Sequence, residues 1–171
     1  QSSEEGRQVK LTHERLREVL GYDQQAGALI WLKTLSVRGP AGKVAGGLRP
    51  DGRRQIRIDG NLYLTSRLVW FWHHGEFPPL EVDHANCDPL DNRIENLRLA
   101  TRKLNEANKR PYGKLGYPKG VYYDVRRGNY HARVKTNGRF TYLGAFSTPD
   151  AASAAYAVAA KKVFGEFARA E

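Results

Sequence analysis

Apolar residues along this chain alternate between helical and extended spacing, and that alternation predicts most of its elements. In Leu11-Thr12-His13-Glu14-Arg15-Leu16-Arg17-Glu18-Val19-Leu20-Gly21, the residues Leu16, Val19 and Leu20 form one helical stripe. Thr12 is placed to cap its start and Gly21 to end it. Ala28-Leu29-Ile30-Trp31-Leu32 is a strand candidate, followed by a glycine-rich stretch (Gly39, Gly42, Gly46, Gly47) and the turn Arg49-Pro50-Asp51-Gly52. Period-two alternation in Arg54–Ile58 and Asn61–Thr65, around Asp59-Gly60, predicts a hairpin with Ile56 and Ile58 on one face and Arg57 on the other. Ser66 to His74 then reads as a helix with Leu68, Val69 and Trp72 inward, stopped by Gly75 and Pro78-Pro79.

The middle of the chain predicts strand, loop, strand, helix: Glu81–His84, then Leu97–Ala100, then a helix capped by Thr101 that carries Asn105 and Asn108. Pro111 to Pro118 has linker punctuation. Beyond it three short runs, Gly120–Val125, Tyr130–Lys135 and Arg139–Gly144, are separated by Arg127-Gly128-Asn129 and Asn137-Gly138, both tight-turn signals. An alanine-rich helix starts after Thr148, with Pro149 at its first position, and runs to about Phe164.

Length and composition bound this picture. The 171 residues, 40% hydrophobic and 27% charged, suit a folded globular chain with one moderate core or two small ones. No apolar run approaches the roughly 18 residues a membrane span needs. Residues 1–10 read as a polar tail. A single cysteine, Cys87, supplies neither a disulfide framework nor a structural zinc site, and an intracellular location is expected. The net charge of +10 is uneven: residues 109–171 hold twelve Lys/Arg against four Asp/Glu, and residues 1–108 hold sixteen against fourteen. A basic C-terminal third suits a phosphate-rich partner, because each neutralised phosphate releases counterions.

The candidate chemistry sits in Val82-Asp83-His84 and Leu90-Asp91-Asn92-Arg93-Ile94-Glu95-Asn96-Leu97, followed by Asn105. A carboxylate lies beside an imidazole, with two amides twelve and twenty-one residues beyond the histidine. Oxygen donors such as Asp83 and an asparagine carbonyl suit a hard divalent cation. Histidine, with an unperturbed pKa of about 6.5, suits deprotonation of water near neutral pH. The inventory fits phosphodiester hydrolysis. Neighbouring strand residues point to opposite faces, so Asp83 and His84 share a site only near a strand end or twist.

This wording resembles the HNH endonucleases, particularly the phage and intron-encoded homing type. The resemblance implies that the three letters are His84, Asn96 and Asn105. It further implies His84 as general base, Asp83 and Asn105 as ligands of Mg²⁺ (with Mn²⁺ or another divalent ion as a substitute), and Asn96 as the residue that holds the loop. Asn92 is a second loop-holding candidate through the turn after Asp91, ranked below Asn96. Asn108, on the same helical face, competes with Asn105. Arg93, Arg98 and Arg102 are read as contacting phosphates or solvent, and Arg57 as a further DNA contact. Ser66-Arg67 stands where relatives often carry His-Arg, and Cys87 where they usually carry Gly.

The C-terminal residues Gly120-Val121, Ala132, Leu143-Gly144-Ala145-Phe146 and Asp150-Ala151-Ala152-Ser153-Ala154-Ala155-Tyr156 resemble the ethylene-response-factor-type (Apetala-type) DNA-binding domain. In that family three strands lie in the major groove and a helix braces the sheet. Outward-facing readers are then expected at Tyr122, Asp124, Arg126, Arg133, Lys135, Arg139 and Tyr142. Tyr122, Asp124 and Tyr142 depart from the arginines and tryptophans of plant relatives.

The expected fold class is α+β: a ββα-metal HNH nuclease domain with an N-terminal hairpin and helix elaboration, then a small three-stranded antiparallel sheet plus one helix. The expected boundaries are 11–110 for the nuclease domain (core about 80–109), 111–118 for the linker and 119–171 for the DNA-binding domain. The expected function is metal-dependent hydrolysis of double-stranded DNA to 5′-phosphate and 3′-hydroxyl ends by a monomer or homodimer, with no structural zinc and no organic cofactor. Two rival readings are a non-cleaving DNA-binding regulator and a nonspecific defence nuclease.

Overall fold

A computed structural model describes residues 10–37, 39–109 and 116–169. The expected polar tail (but for Lys10) and most of the expected linker lie outside the described residues. The chain divides into two compact units, residues 1–99 and 100–171. That division falls upstream of the 111–118 segment.

In the first unit, helix α1 (His13–Val19) starts at Thr12, whose Oγ1 accepts the Arg15 backbone N–H at 3.1 Å. The helix stops one residue earlier than its apolar stripe suggests. Leu20 opens strand β1 (Leu20–Asp23), which pairs antiparallel with β2 (Ala28–Trp31) in the register Leu20↔Trp31 and Tyr22↔Leu29. Gly21 is therefore a strand residue, not a helix terminator. A three-stranded sheet follows in the order β3 (Gly47–Leu48), β4 (Arg54–Ile58), β5 (Asn61–Leu64). At its turn, Asp59 (φ 46°) and Gly60 (φ 83°) are both left-handed, the conformation a two-residue hairpin matched to strand twist requires.

Helix α2 (Thr65–His74) ends at the left-handed Gly75. Leu68, Val69 and Phe71 are its buried apolar residues, and Trp72 is only partly buried. These side chains close a core with Leu16, Val19, Leu20, Leu29, Ile56 and Ile58, which are 0–1% exposed. Strand β6 (Glu81–His84) neighbours β7 (Leu97–Ala100) in a two-stranded sheet, with a single 3-10 turn, Ile94–Asn96, before β7. The core thus supports β6 from below through Val82 and β7 through Leu97.

The second unit begins with helix α3 (Arg102–Asn108), capped by Thr101 through its side-chain oxygen. Ala107 of α3 clusters with Val134, Tyr156, Ala160, Phe164 and Phe167, which explains why α3 belongs to this unit. The Lys119 ammonium donates to the carbonyls of Glu106, Ala107 and Lys109 at 3.2, 2.5 and 2.9 Å and so caps the end of α3. Strands β8 (Val121–Asp124), β9 (Asn129–Thr136) and β10 (Arg139–Phe146) form an antiparallel sheet in the order β10-β9-β8. Helix α4 (Pro149–Phe164) packs on one face of the sheet, its start capped by Thr148. Gly120 (φ 76°) lets the chain pass against the Tyr156 ring, where any Cβ would collide with it. The register places Val121, Ala132 and Val134 on the helix-facing side, and Tyr122, His131, Arg133, Lys135, Phe140 and Tyr142 on the other. Among the described residues, no helix is long and apolar enough to cross a membrane.

Candidate active site

Asp83 and His84 end strand β6 and are 5% and 7% exposed. The loop after them is built by short side chains that bond back to the backbone. Asn86 Oδ1 accepts from Asp88 N at 2.8 Å, and Asp88 Oδ1 from Leu90 N at 2.9 Å. Cys87 has φ 60°, the conformation that favours glycine, and its N–H donates to the His84 carbonyl at 2.9 Å.

Asn96 is the hub of this loop. Its Nδ2 donates to the Asp91 carbonyl at 2.8 Å and to Asn86 Oδ1 at 3.0 Å, while its Oδ1 accepts the Asn86 N–H at 3.0 Å. Its backbone carbonyl accepts Ala85 N–H at 2.9 Å, directly after His84. Beside it Asp91 takes a bidentate pair from Arg93 at 2.8 and 2.7 Å. The Arg93 guanidinium holds the Asp91 carboxyl well down, at about 2.

The imidazole itself is held by Asn92, which is 3% exposed. Asn92 Oδ1 lies 3.1 Å from His84 Nε2, and Asn92 Nδ2 donates to the Leu90 carbonyl at 3.2 Å. The second bond fixes the amide orientation, so the oxygen faces the ring. Nε2 therefore carries the hydrogen, and Nδ1 is the proton-accepting nitrogen. Burial pulls the His84 pKa below the ordinary histidine range, with the Asn92 hydrogen bond opposing it and nearby Arg53 adding to it. A neutral imidazole near pH 7 is the protonation state a general base needs.

Arg98 departs from the expectation of a phosphate or solvent contact. Its Nε donates to Asp83 Oδ2 at 2.9 Å, and the two side chains are 18% and 6% exposed. Neither the Asn92 hold on the imidazole nor the Arg98–Asp83 pair is legible in the local sequence, because both depend on how β6, its loop and β7 fold together. Asn105 and Asn108, 8% and 6% exposed, lie on α3 in the second unit.

Among the described residues, no group of three or more His, Cys, Asp or Glu side chains gathers as a metal cluster. The donor chemistry at the end of β6 is one buried carboxylate, Asp83, a hard oxygen donor. That donor fits a Mg²⁺-type ion, which keeps several waters and takes one or two carboxylates.

On the second unit's sheet, the face opposite α4 carries aromatic rings and cations. Tyr122 stacks on His131 with centroids 5.2 Å apart, and the Arg133 guanidinium lies 4.8 Å from the Tyr122 ring and 4.1 Å from Phe140. Lys135 lies 5.3 Å from the Phe140 ring, and Tyr142 is exposed beside them. Arg139 corrects the expected reader set. It pairs with Thr136, on the side of Val134, so it does not share the face of Arg133. Phe140 and His131 were not foreseen there. Arg126 sits in the β8–β9 turn, its N–H held by the Asp124 carboxylate at 2.9 Å. Arg57 is exposed on β4, with one guanidinium N–H on the Gly60 carbonyl at 2.8 Å.

The buried Asp-His pair at the end of β6 and the asparagine-held loop after it lie within one segment of the sequence. Residues 63–107 match the HNH endonuclease family model, and the chain carries an HNH endonuclease domain there. The chain is also 36% identical over 95 residues to an HNH endonuclease of Acanthamoeba polyphaga mimivirus, across 55% of this chain and 49% of that protein. It thus spans about half the length of the curated relative it matches. No solved structure matches it.

Proposed function

We propose that this chain is a divalent-metal-dependent HNH DNA endonuclease of the homing or mobile-element type, with a ββα-metal catalytic core. The observation that carries the reading is His84, buried at the end of β6 within the HNH-matching segment, beside Asp83 and oriented by Asn92 so that Nδ1 is the basic nitrogen. His84 Nδ1 takes a proton from water, whose oxygen attacks phosphorus in line. The P–O3′ bond breaks, leaving 5′-phosphate and 3′-hydroxyl ends. Asp83 and Asn105 would hold the divalent ion, which when bound supplies positive charge to the phosphoryl and leaving oxygens. Asn96 keeps the loop, Arg98 orients the Asp83 carboxylate, and Arg102 and Asn108 are further DNA contacts.

The second unit is the reader of duplex DNA in this proposal, with Arg133, Lys135, Tyr122 and Tyr142 entering the major groove. The charge excess of residues 109–171 and the cation-bearing sheet face support this assignment. Covalent tethering to a reader raises the effective concentration of a backbone-contacting nuclease at its site. A supercoiled-plasmid cleavage assay with Mg²⁺, and with EDTA, tests the activity. Relaxation or linearisation in Mg²⁺ alone is expected; an intact plasmid in Mg²⁺ would leave the non-cleaving regulator as the correct reading.

A further inference from the structure

We infer that Tyr22 is a positioning residue for His84, acting through Asn92, and that the β1–β2 hairpin is a clamp on the catalytic loop. This rests on the reading of His84 as the base. The hairpin lies outside residues 63–107, so the family match assigns it nothing.

The Tyr22 hydroxyl satisfies the backbone on both sides of Arg93. It donates to the Asn92 carbonyl at 3.2 Å and accepts the Ile94 N–H at 3.1 Å. Asn92 is thereby fixed at its backbone by Tyr22, and its side chain reaches the imidazole at 3.1 Å. The path from hydroxyl to catalytic ring contains one residue.

Two further observations place the hairpin against the same segment. Gly27, in the β1–β2 turn, is buried with φ 60°, and a Cβ there would come within 2.5 Å of Arg93 N and 2.9 Å of the Asn92 carbonyl carbon. The turn therefore lies directly on the peptide that joins Asn92 to Arg93. The Tyr22 ring is in turn set by aromatic neighbours on helix α2. It meets His73 edge-on at 4.7 Å and Trp72 at 5.6 Å, and Trp72 is covered by the Arg17 guanidinium at 4.0 Å. Helix α2 thus fixes the ring, the ring fixes the hydroxyl, and the hydroxyl fixes Asn92.

The test uses Tyr22→Phe, which keeps the ring in its aromatic site and removes the hydroxyl alone. Single-turnover cleavage by Tyr22→Phe is expected to fall about tenfold, as misplacement of a catalytic group does, with DNA affinity unchanged. Thr12→Ala, which removes the α1 cap, is the control for a stability loss that leaves the loop alone, and its cleavage rate should stay at the wild-type level. Long-range ¹H–¹⁵N spectra supply a readout independent of turnover: the His84 ring signals should move in Tyr22→Phe and stay put in Thr12→Ala. Wild-type cleavage and an unmoved His84 ring in Tyr22→Phe would overturn the clamp. If the wild-type protein does not cleave, the nuclease reading fails, and the His84 ring signals alone decide the clamp.

Discussion

Arg98 Nε and Asp83 Oδ2 form a 2.9 Å ion pair within the two-stranded β6–β7 sheet, both side chains largely withdrawn from water. The carboxylate proposed as a metal ligand is thus oriented by a guanidinium before any ion arrives. Breaking a buried pair from one side leaves the other charge uncompensated, which is more damaging than the pair is stabilising.

Arg98→Ala is therefore expected to lose about 3–5 kcal/mol of stability, read by urea denaturation of wild type and variant. A loss below about 1 kcal/mol, the range of exposed pairs, would show that the pair is solvated.

Asn92→Ala removes the acceptor for His84 Nε2. Leaving that buried donor unsatisfied should cost about 1–3 kcal/mol, and cleavage should fall because the ring loses its tautomer and orientation. Asn92→Ala cleaving like wild type would show that the His84–Asn92 bond does not orient the base.

The Asp91–Arg93 pair sets an acid limit on the loop. Asp91 titrates at about 2 in the folded protein, pushed down first by Arg93, against about 3.9 for an unfolded aspartate. Its contribution to stability is fully present above the unfolded value and is lost as pH falls towards the folded one. The melting-temperature gap between wild type and Asp91→Asn should be constant above about pH 5 and narrow between about pH 4 and 2. A gap that widens with acid would contradict this sign.

Elements with local signals were legible in the chain. Asp59-Gly60 set the β4–β5 hairpin, Thr101 and Thr148 the starts of α3 and α4, and the Asp-His strand ran over Glu81–His84 as expected. Strand β1 was not, because Leu16, Val19 and Leu20 also suit a helix and Gly21 resembles a terminator. Only pairing with β2 decides it. Asn92, Arg98 and Tyr22 were hidden for a related reason: each acts through a partner eight to seventy-two residues away, and local pattern carries no such distance. Arg139 was misplaced because one residue of register exchanges the faces of a strand.

That register yields a contrast on the second unit. Arg133→Ala should weaken binding to duplex DNA by about 1–3 kcal/mol, whereas Arg139→Ala should change it by only a few tenths. Fluorescence anisotropy at fixed salt measures both. Equal losses would mean that the sheet face opposite α4 is not the reading surface.

The central claim is that His84 is the base of a DNA-cleaving centre. The most direct measurement is single-turnover cleavage of duplex DNA in Mg²⁺ by wild type and His84→Ala, with binding followed on the same substrate. His84→Ala is expected to bind with unchanged affinity and to cleave at least about 10²-fold more slowly. Cleavage by His84→Ala at the wild-type rate would contradict the account.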